Sequence, residues 1–153
     1  MFNYEIINLP KNLEFDKKIL NKIFEFVDKL VEKKQNWILN IVFLSNQEIQ
    51  KLNKNFRNID KATDVLSFHY FEDFSSLKND DIAWEIVISY EKLFSQAKEF
   101  WIKNYEEFFK LVIHSVLHIL WFDHENEDDY KIMQDLENKV YEKINLEKLK
   151  INI

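Results

Sequence analysis

The sequence contains no cysteine, no glycine and a single proline. Without cysteine the chain can form neither a disulfide nor a thiolate metal site, so a metal ion could be held only by histidine and carboxylate side chains. No apolar stretch approaches the roughly 18 residues that a membrane-spanning helix needs. The opening residues, MFNYEIINLP, lack the basic and then apolar arrangement of a signal peptide. We therefore expect a cytoplasmic protein with no membrane partner.

The complete lack of glycine is unusual. Average usage of about 7% would give roughly 11 glycines in a chain of 153 residues. Lysine, asparagine and isoleucine are abundant, as expected from an AT-rich coding bias, and such a bias lowers the glycine content. It would hardly remove every glycine. Our hypothesis is therefore that glycine was deliberately removed from this sequence.

The length and composition indicate one globular domain over residues 1–153. Hydrophobic residues make up 46% of the chain, and its 14 Phe, 6 Tyr and 4 Trp can supply a sizeable core. The net charge of -6 argues mildly against a surface that binds nucleic acid indiscriminately, because such binding needs many cationic contacts to phosphate. It does not exclude a local basic cleft.

Hydrophobic periodicity predicts strands over residues 3–9, 37–44, 63–70 and 82–89. Apolar residues recur at helical spacing over 13–31, and Ser45 or Asn46 can cap a second helix that runs to Asn55, supported by Glu48. From Tyr90 the pattern is helical to the end, with breaks near residues 102–104 and 122–127. This order predicts an α+β fold with a small mixed β-sheet of about four strands packed with helices.

The strongest chemical signal is the segment HSVLHILWFDH at residues 114–124. His114 and His118 are four residues apart in a helical stretch, which places both imidazoles on one face, close enough to share a metal. His124 follows beyond the predicted helix end, where the chain can fold back and supply a third ligand. Three histidines with an open fourth position form a catalytic zinc arrangement.

The alternative is a coincidence of two core histidines and one surface histidine. The chain has only four histidines, and three of them fall within this short segment, so we favour a metal site. We predict one Zn²⁺ per chain on a zincin-like metal helix. Three histidines also suit nickel and other divalent ions, so the native metal stays open.

Arg57 is the only arginine among 21 cationic residues. A guanidinium binds phosphate through two parallel hydrogen bonds, which lysine cannot imitate. The alternative is a surface arginine without a role. The retention of arginine at this position nevertheless suggests a phosphate-bearing substrate.

Residues 114–124 resemble the signature of the YbeY family of bacterial endoribonucleases, H-G-x-x-H-L-x-G-Y-D-H. The two segments FRNIDKATDVLSFHY, at 56–70, and AWEIVIS, at 83–89, resemble two further family blocks in the same order. The resemblance covers essentially the whole chain. Family glycines correspond here to Asn58, Trp84, Ser115 and Trp121, and family prolines to Ala62 and His69.

The resemblance implies a single-strand-specific, zinc-dependent endoribonuclease. Its task would be rRNA maturation, especially at the 3′ end of the small-subunit rRNA, and ribosome quality control. Its partners would be single-stranded or ribosomal RNA and ribosome-associated proteins. The family has a functional arginine at the position of Arg57, so the resemblance makes Arg57 and His114 the candidate catalytic residues. Asp123 could orient an imidazole or be an exposed turn residue. Glu85 is expected to make a structural hydrogen bond. His69 is expected to be a surface or strand residue and not a fourth ligand.

Two alternatives stay open. A zinc-dependent peptidase also uses H-x-x-x-H followed by a third histidine, but its general base is a glutamate directly after the first histidine. Ser115 occupies that position here and cannot serve as a base. The other alternative is a metal-binding variant that has lost catalytic activity along with its glycines.

Overall fold

The computed structural model describes residues 3–30, 38–70, 82–119 and 127–144. Within these ranges the four strands are β1 (Asn3–Ile7), β2 (Ile38–Leu44), β3 (Val65–His69) and β4 (Ile82–Ser89). The five helices are α1 (Lys17–Leu30), α2 (Asn46–Arg57), α3 (Tyr90–Glu99), α4 (Asn104–Ile119) and α5 (Glu127–Lys143). None of these helices is long and apolar enough to cross a bilayer.

The strands form one mixed sheet in the order β1-β2-β4-β3. β1, β2 and β4 are parallel, and β3 runs antiparallel to β4 at the edge. The predicted α+β fold with a small mixed sheet is therefore confirmed. Two strands are shorter than predicted for local reasons. Asn8 adopts a φ of 60° that ends β1, and the Asp64 carboxylate accepts the Val65 amide where β3 begins.

Helix α2 begins as the sequence predicts. The Ser45 hydroxyl accepts the Glu48 backbone N–H, and the Glu48 carboxylate accepts the Ser45 backbone N–H in return, so two backbone donors at the start of the helix are satisfied. The helix runs two residues past its predicted end and stops at Asn58, which adopts the left-handed conformation with φ 57° and ψ 32°. Asparagine tolerates this conformation better than other residues with a side chain.

The predicted break near residues 102–104 separates α3 from α4. Trp101 has a φ of 57° and its side chain is 94% exposed. The Glu106 carboxylate then accepts the Lys103 amide at 2.8 Å, which satisfies a donor at the start of α4. The other predicted break, at 122–127, lies outside the described residues up to Glu127, where α5 begins.

The sheet separates two hydrophobic clusters. Side chains alternate along a strand, so Leu39, Ile41 and Phe43 of β2 point to the larger cluster, whereas Val42 and Leu44 pack against the smaller one. Helices α1, α3, α4 and α5 contribute to the larger cluster, which places α4 against the centre of the fold. Helix α2 covers the smaller cluster of Ile49, Leu66 and Val87.

Two positions that resemble family glycines are buried here. Trp84 is fully buried in the larger cluster, so its ring fills the core. Ser115 lies within α4 at 1% exposure and continues the helix.

Candidate functional site

Helix α4 places His114 and His118 side by side. Most of the helix is buried, but these two residues are only partly so. Their ring centroids are 6.5 Å apart and the ring planes differ by 4°. The four-residue spacing predicted this geometry, because such residues occupy one helix face.

Glu137 of α5 contacts the first of these histidines. One carboxylate oxygen lies 2.6 Å from His114 Nδ1, a short hydrogen bond between a side chain that is 8% exposed and an imidazole that is 40% exposed. Because Nδ1 is engaged in this way, Nε2 is the nitrogen through which His114 could bind a metal. This contact joins α4 to α5 directly beside the histidine pair.

The donor set fits zinc, which binds neutral imidazole nitrogens and whose histidine ligands usually donate their second N–H to a carboxylate. The third predicted ligand, His124, and its neighbours Asp123 and Trp121 lie outside the described residues. Within the described ranges no group of three or more potential ligands comes together. The three-histidine site therefore stays a prediction, of which the structure describes two members.

A cavity of about 270 Å³ opens next to His114. Its described lining comes from α3, α4, α5 and the start of β3. The wall is mostly apolar with polar groups on several sides, and it comprises Asp64, Gln96, Phe100, Glu107, Lys110, Leu111, His114, Tyr130, Met133, Gln134, Glu137 and Tyr141. Such a mixture is typical of a site that binds a small group and fixes its orientation.

Burial raises the pKa of two ionisable groups that line this cavity. Burial raises the pKa of Glu107, and Asp64 adds to the effect, whereas Lys110, 3.7 Å away, lowers it. Burial also raises the pKa of Tyr141, with further contributions from the charges of Glu137 and Glu107. Tyr141 therefore stays protonated.

Arg57, the second predicted catalytic residue, is the last residue of α2 and is exposed. It does not belong to the described lining of the cavity beside His114. The structure thus puts the two predicted catalytic residues on different elements, one on a buried helix and one at the exposed end of another.

The remaining sequence expectations concern β3 and β4. His69 ends β3 and is exposed, as expected for a surface strand residue. Burial raises the pKa of Tyr70, and the charge of Glu85 and a hydrogen bond from the Tyr70 hydroxyl to the Glu85 carboxylate raise it further. This is a structural hydrogen bond of the kind that the sequence suggested for Glu85.

Sequence reasoning missed the carboxylates that surround His114. Glu137 occupies the apolar stripe of α5 with Met133 and Val140, which are both buried. A carboxylate in such a stripe is unusual and could have been noticed. Asp64 lies in the block at 56–70, but nothing in its spacing to residues 114–118 predicts that both would line one cavity.

An α+β protein whose buried helix presents two parallel histidines, one of them in the wall of a mostly apolar cavity, has the arrangement expected of a hydrolase with its histidine site on a helix. The family model described as Endoribonuclease YbeY matches residues 5–145. The chain therefore belongs to the YbeY endoribonuclease family, a family of enzymes that cleave RNA.

Individual relatives agree. The chain is 37% identical over 145 residues to Endoribonuclease YbeY of Carboxydothermus hydrogenoformans, covering 94% of this chain and 99% of that protein. It is 40% identical over 136 residues to Endoribonuclease YbeY of Caldicellulosiruptor saccharolyticus, covering 84% and 83%. The solution structure of TM1509 from Thermotoga maritima matches with a TM-score of 0.57 and 28% identity, covering 94% of this chain and 89% of that one.

Proposed function

We propose that this protein is a zinc-dependent, single-strand-specific endoribonuclease that acts in rRNA maturation. The observation that carries the proposal is the pair of parallel imidazoles on α4, 6.5 Å apart, of which His114 lines a cavity, in a chain of the YbeY family. His114 and His118 would hold the metal together with His124. A zinc ion there would supply positive charge that offsets the charge developing on the phosphodiester during cleavage.

Arg57 would bind the phosphate of the RNA. Its guanidinium is exposed at the end of α2, so an incoming phosphate can reach it without prior displacement of a packed side chain. A guanidinium offers two parallel donors to phosphate oxygens and stays charged at any working pH. We infer that Arg57 holds the substrate, while His114 and His118 define the reacting position.

The peptidase alternative has little support. The residue that follows His114 is Ser115, which is 1% exposed and carries a hydroxyl with no hydrogen-bond partner among the described residues. A buried hydroxyl cannot take the role of the glutamate that serves as general base in those peptidases. The names of the relatives also point to RNA.

The direct test is cleavage of an internally labelled single-stranded RNA by wild type, Arg57→Ala and Arg57→Lys, with Zn²⁺ affinity measured by competition with a chromophoric chelator. We expect Arg57→Ala to lower the cleavage rate roughly 100- to 1000-fold, the usual effect of losing one donor that stabilises developing charge. Lysine should restore only part of it. Zinc affinity should not change, because Arg57 is no metal ligand.

Lys51→Ala is the matched control, since Lys51 is an exposed cation on the same helix. It should cleave RNA nearly as wild type does. His118→Ala should instead lose zinc affinity by more than the roughly 10- to 100-fold that loss of a supporting group causes. Bound zinc without RNA cleavage by the wild type would show that this protein binds metal but has lost catalytic activity. RNA cleavage that does not respond to Arg57→Ala would refute its assigned role.

The cellular role that we propose is maturation of the small-subunit rRNA, especially its 3′ end, and ribosome quality control in the cytoplasm. Ribosome-associated proteins would be its further partners. A precursor rRNA with an extended 3′ end, presented alone and within purified small subunits, tests this role. Cleavage near the mature end in the subunit-bound precursor supports it, and cleavage at scattered positions in both substrates contradicts it.

A further inference from the structure

Glu137 is a buried carboxylate in an otherwise apolar part of α5. Its neighbours at helical spacing, Met133 and Val140, are 2% and 0% exposed, and both belong to the larger hydrophobic cluster. Removing a carboxylate from water is unfavourable unless a partner compensates it. A leucine at this position would continue the apolar stripe, so packing alone gives no reason for an acid.

The compensating partner is His114. The carboxylate oxygen lies 2.6 Å from Nδ1, slightly shorter than the roughly 2.7–2.9 Å of hydrogen bonds between a charged N–H donor and a carboxylate. Both side chains are placed by packed helices, because α5 is held against the core through Met133 and Tyr141 and α4 through nearly its whole length. The contact therefore fixes the rotation of the imidazole.

We propose that Glu137 is a positioning residue that holds the proton of His114 on Nδ1 and turns Nε2 toward the metal. The inference rests on the proposed metal site. A carboxylate that accepts the second N–H of a ligating histidine selects the tautomer, fixes the ring and makes the ligating nitrogen more basic. Glu137 touches neither substrate nor metal in this role and acts only through His114.

The first readout is the tautomer of His114 in the metal-free protein, by long-range ¹H–¹⁵N NMR above the titration range of histidine. In wild type the proton should reside on Nδ1. Glu137→Ala removes the acceptor, so a substantial Nε2–H population should appear. Glu137→Gln should keep most of the Nδ1–H form, because its amide carbonyl can still accept that hydrogen bond. This measurement needs no metal and no catalytic activity.

The second readout is Zn²⁺ affinity by chelator competition. We expect Glu137→Ala to weaken binding about 10- to 100-fold, the usual effect of losing such a supporting group. Glu137→Gln should lie between this variant and wild type, because it preserves the hydrogen bond without the charge. Asp135→Asn is the control, since Asp135 is an exposed acid on the same helix. It should change neither the tautomer nor the affinity.

The outcomes separate this inference from the proposed function. If wild type binds zinc and Glu137→Ala binds it equally well with His114 still protonated on Nδ1, Glu137 is merely structural and the inference fails alone. If wild type binds no zinc, the proposed function fails and the role of Glu137 in positioning a metal ligand fails with it, whatever the tautomer shows. Thermal unfolding of each variant, followed by circular dichroism, verifies that it is folded, and Glu137→Gln serves should Glu137→Ala unfold.

Discussion

The two faces of the sheet carry very different amounts of packed structure. One face is covered by α1, α3, α4 and α5 around the larger hydrophobic cluster, and it holds the two histidines of α4 and the cavity that His114 lines. The other face is covered by α2, over a cluster with three fully packed members, Ile49, Leu66 and Val87. We call these the thick face and the thin face.

The predicted chemistry follows the same division. His114 and His118 project from a helix that is buried for most of its length, so their positions are fixed by surrounding core side chains. Arg57 ends the helix of the thin face and is exposed. Ligands to a metal need fixed geometry, whereas a guanidinium that receives a flexible RNA phosphate works from a long and adjustable side chain. The comparison suggests a rigid metal side and an adaptable phosphate side.

Truncating one core residue on each face tests whether the thick face is more tightly packed than the thin face. Trp84→Ala on the thick face should lower the free energy of unfolding by about 3–5 kcal/mol, because a large ring is removed from fully enclosed surroundings. Leu66→Ala on the thin face, at 4% exposure, should lie near the lower end of its range, about 2 kcal/mol, because fewer packed neighbours enclose it.

Urea denaturation of both variants beside wild type measures the two values. The mild truncations Ile86→Val and Ile49→Val, which remove one methylene from a fully buried residue on the thick and thin face, serve as a matched pair. Each should lower the free energy of unfolding by about 0.5–1.5 kcal/mol, with the larger loss on the thick face. Equal losses on the two faces would show that the thin face is as tightly enclosed as the thick one.

The sequence predicted most of the fold because its signals are local. Strand alternation, the Ser45–Glu48 capping box and the four-residue spacing of His114 and His118 depend on neighbours in the chain, and each is found in the structure. Errors fall at element ends, where a single backbone angle decides. Asn8 is an example, since nothing in the residue type alone requires its positive φ.

The candidate site was less predictable because its parts are far apart in sequence. Glu137 meets His114 across 23 positions, and Asp64 meets the same cavity from the start of β3. Such contacts depend on how α5 packs on α4 and how β3 pairs with β4. Hydrophobic periodicity gives the buried face of each helix but not the residue that each buried side chain will touch.

Glu107 offers a test of the thick face through pH. Burial raises the pKa of this carboxyl from an ordinary value of 4.5, and Asp64 adds to the effect against Lys110. Between the ordinary and the raised pKa the unfolded chain has already released a proton that the folded chain keeps. Stability must therefore fall as pH rises through this window. Glu107→Gln removes the titration, so its stability should decline less over the same range.

Thermal unfolding midpoints of wild type and Glu107→Gln from pH 4 to pH 8 would measure this difference. It should be smallest at pH 4 and favour the variant increasingly above the ordinary pKa of glutamate. Glu25→Gln, which changes an exposed acid on α1, should show no comparable trend. A difference between wild type and Glu107→Gln that is constant with pH would mean that the pKa of Glu107 is the same in the folded and unfolded chain, and that the interior of the thick face is more hydrated than its burial indicates.

The smallest effect is expected on the thin face, at the left-handed residue that ends α2. Asn58 has φ 57° and its amide donates to the carbonyls of Asn53 and Lys54. Alanine is strained in this conformation, so Asn58→Ala should lower the free energy of unfolding by about 1–2 kcal/mol. Glycine adopts it freely, so Asn58→Gly should be neutral or slightly stabilising.

Asn55→Ala, one turn earlier and exposed, is the control and should cause no loss, because alanine favours a helix. Urea denaturation measures all three. If Asn58→Ala matches the control, the left-handed cap does not hold the end of α2 next to Arg57. If instead glycine and asparagine are equivalent here, this position lost its family glycine at almost no cost to the fold.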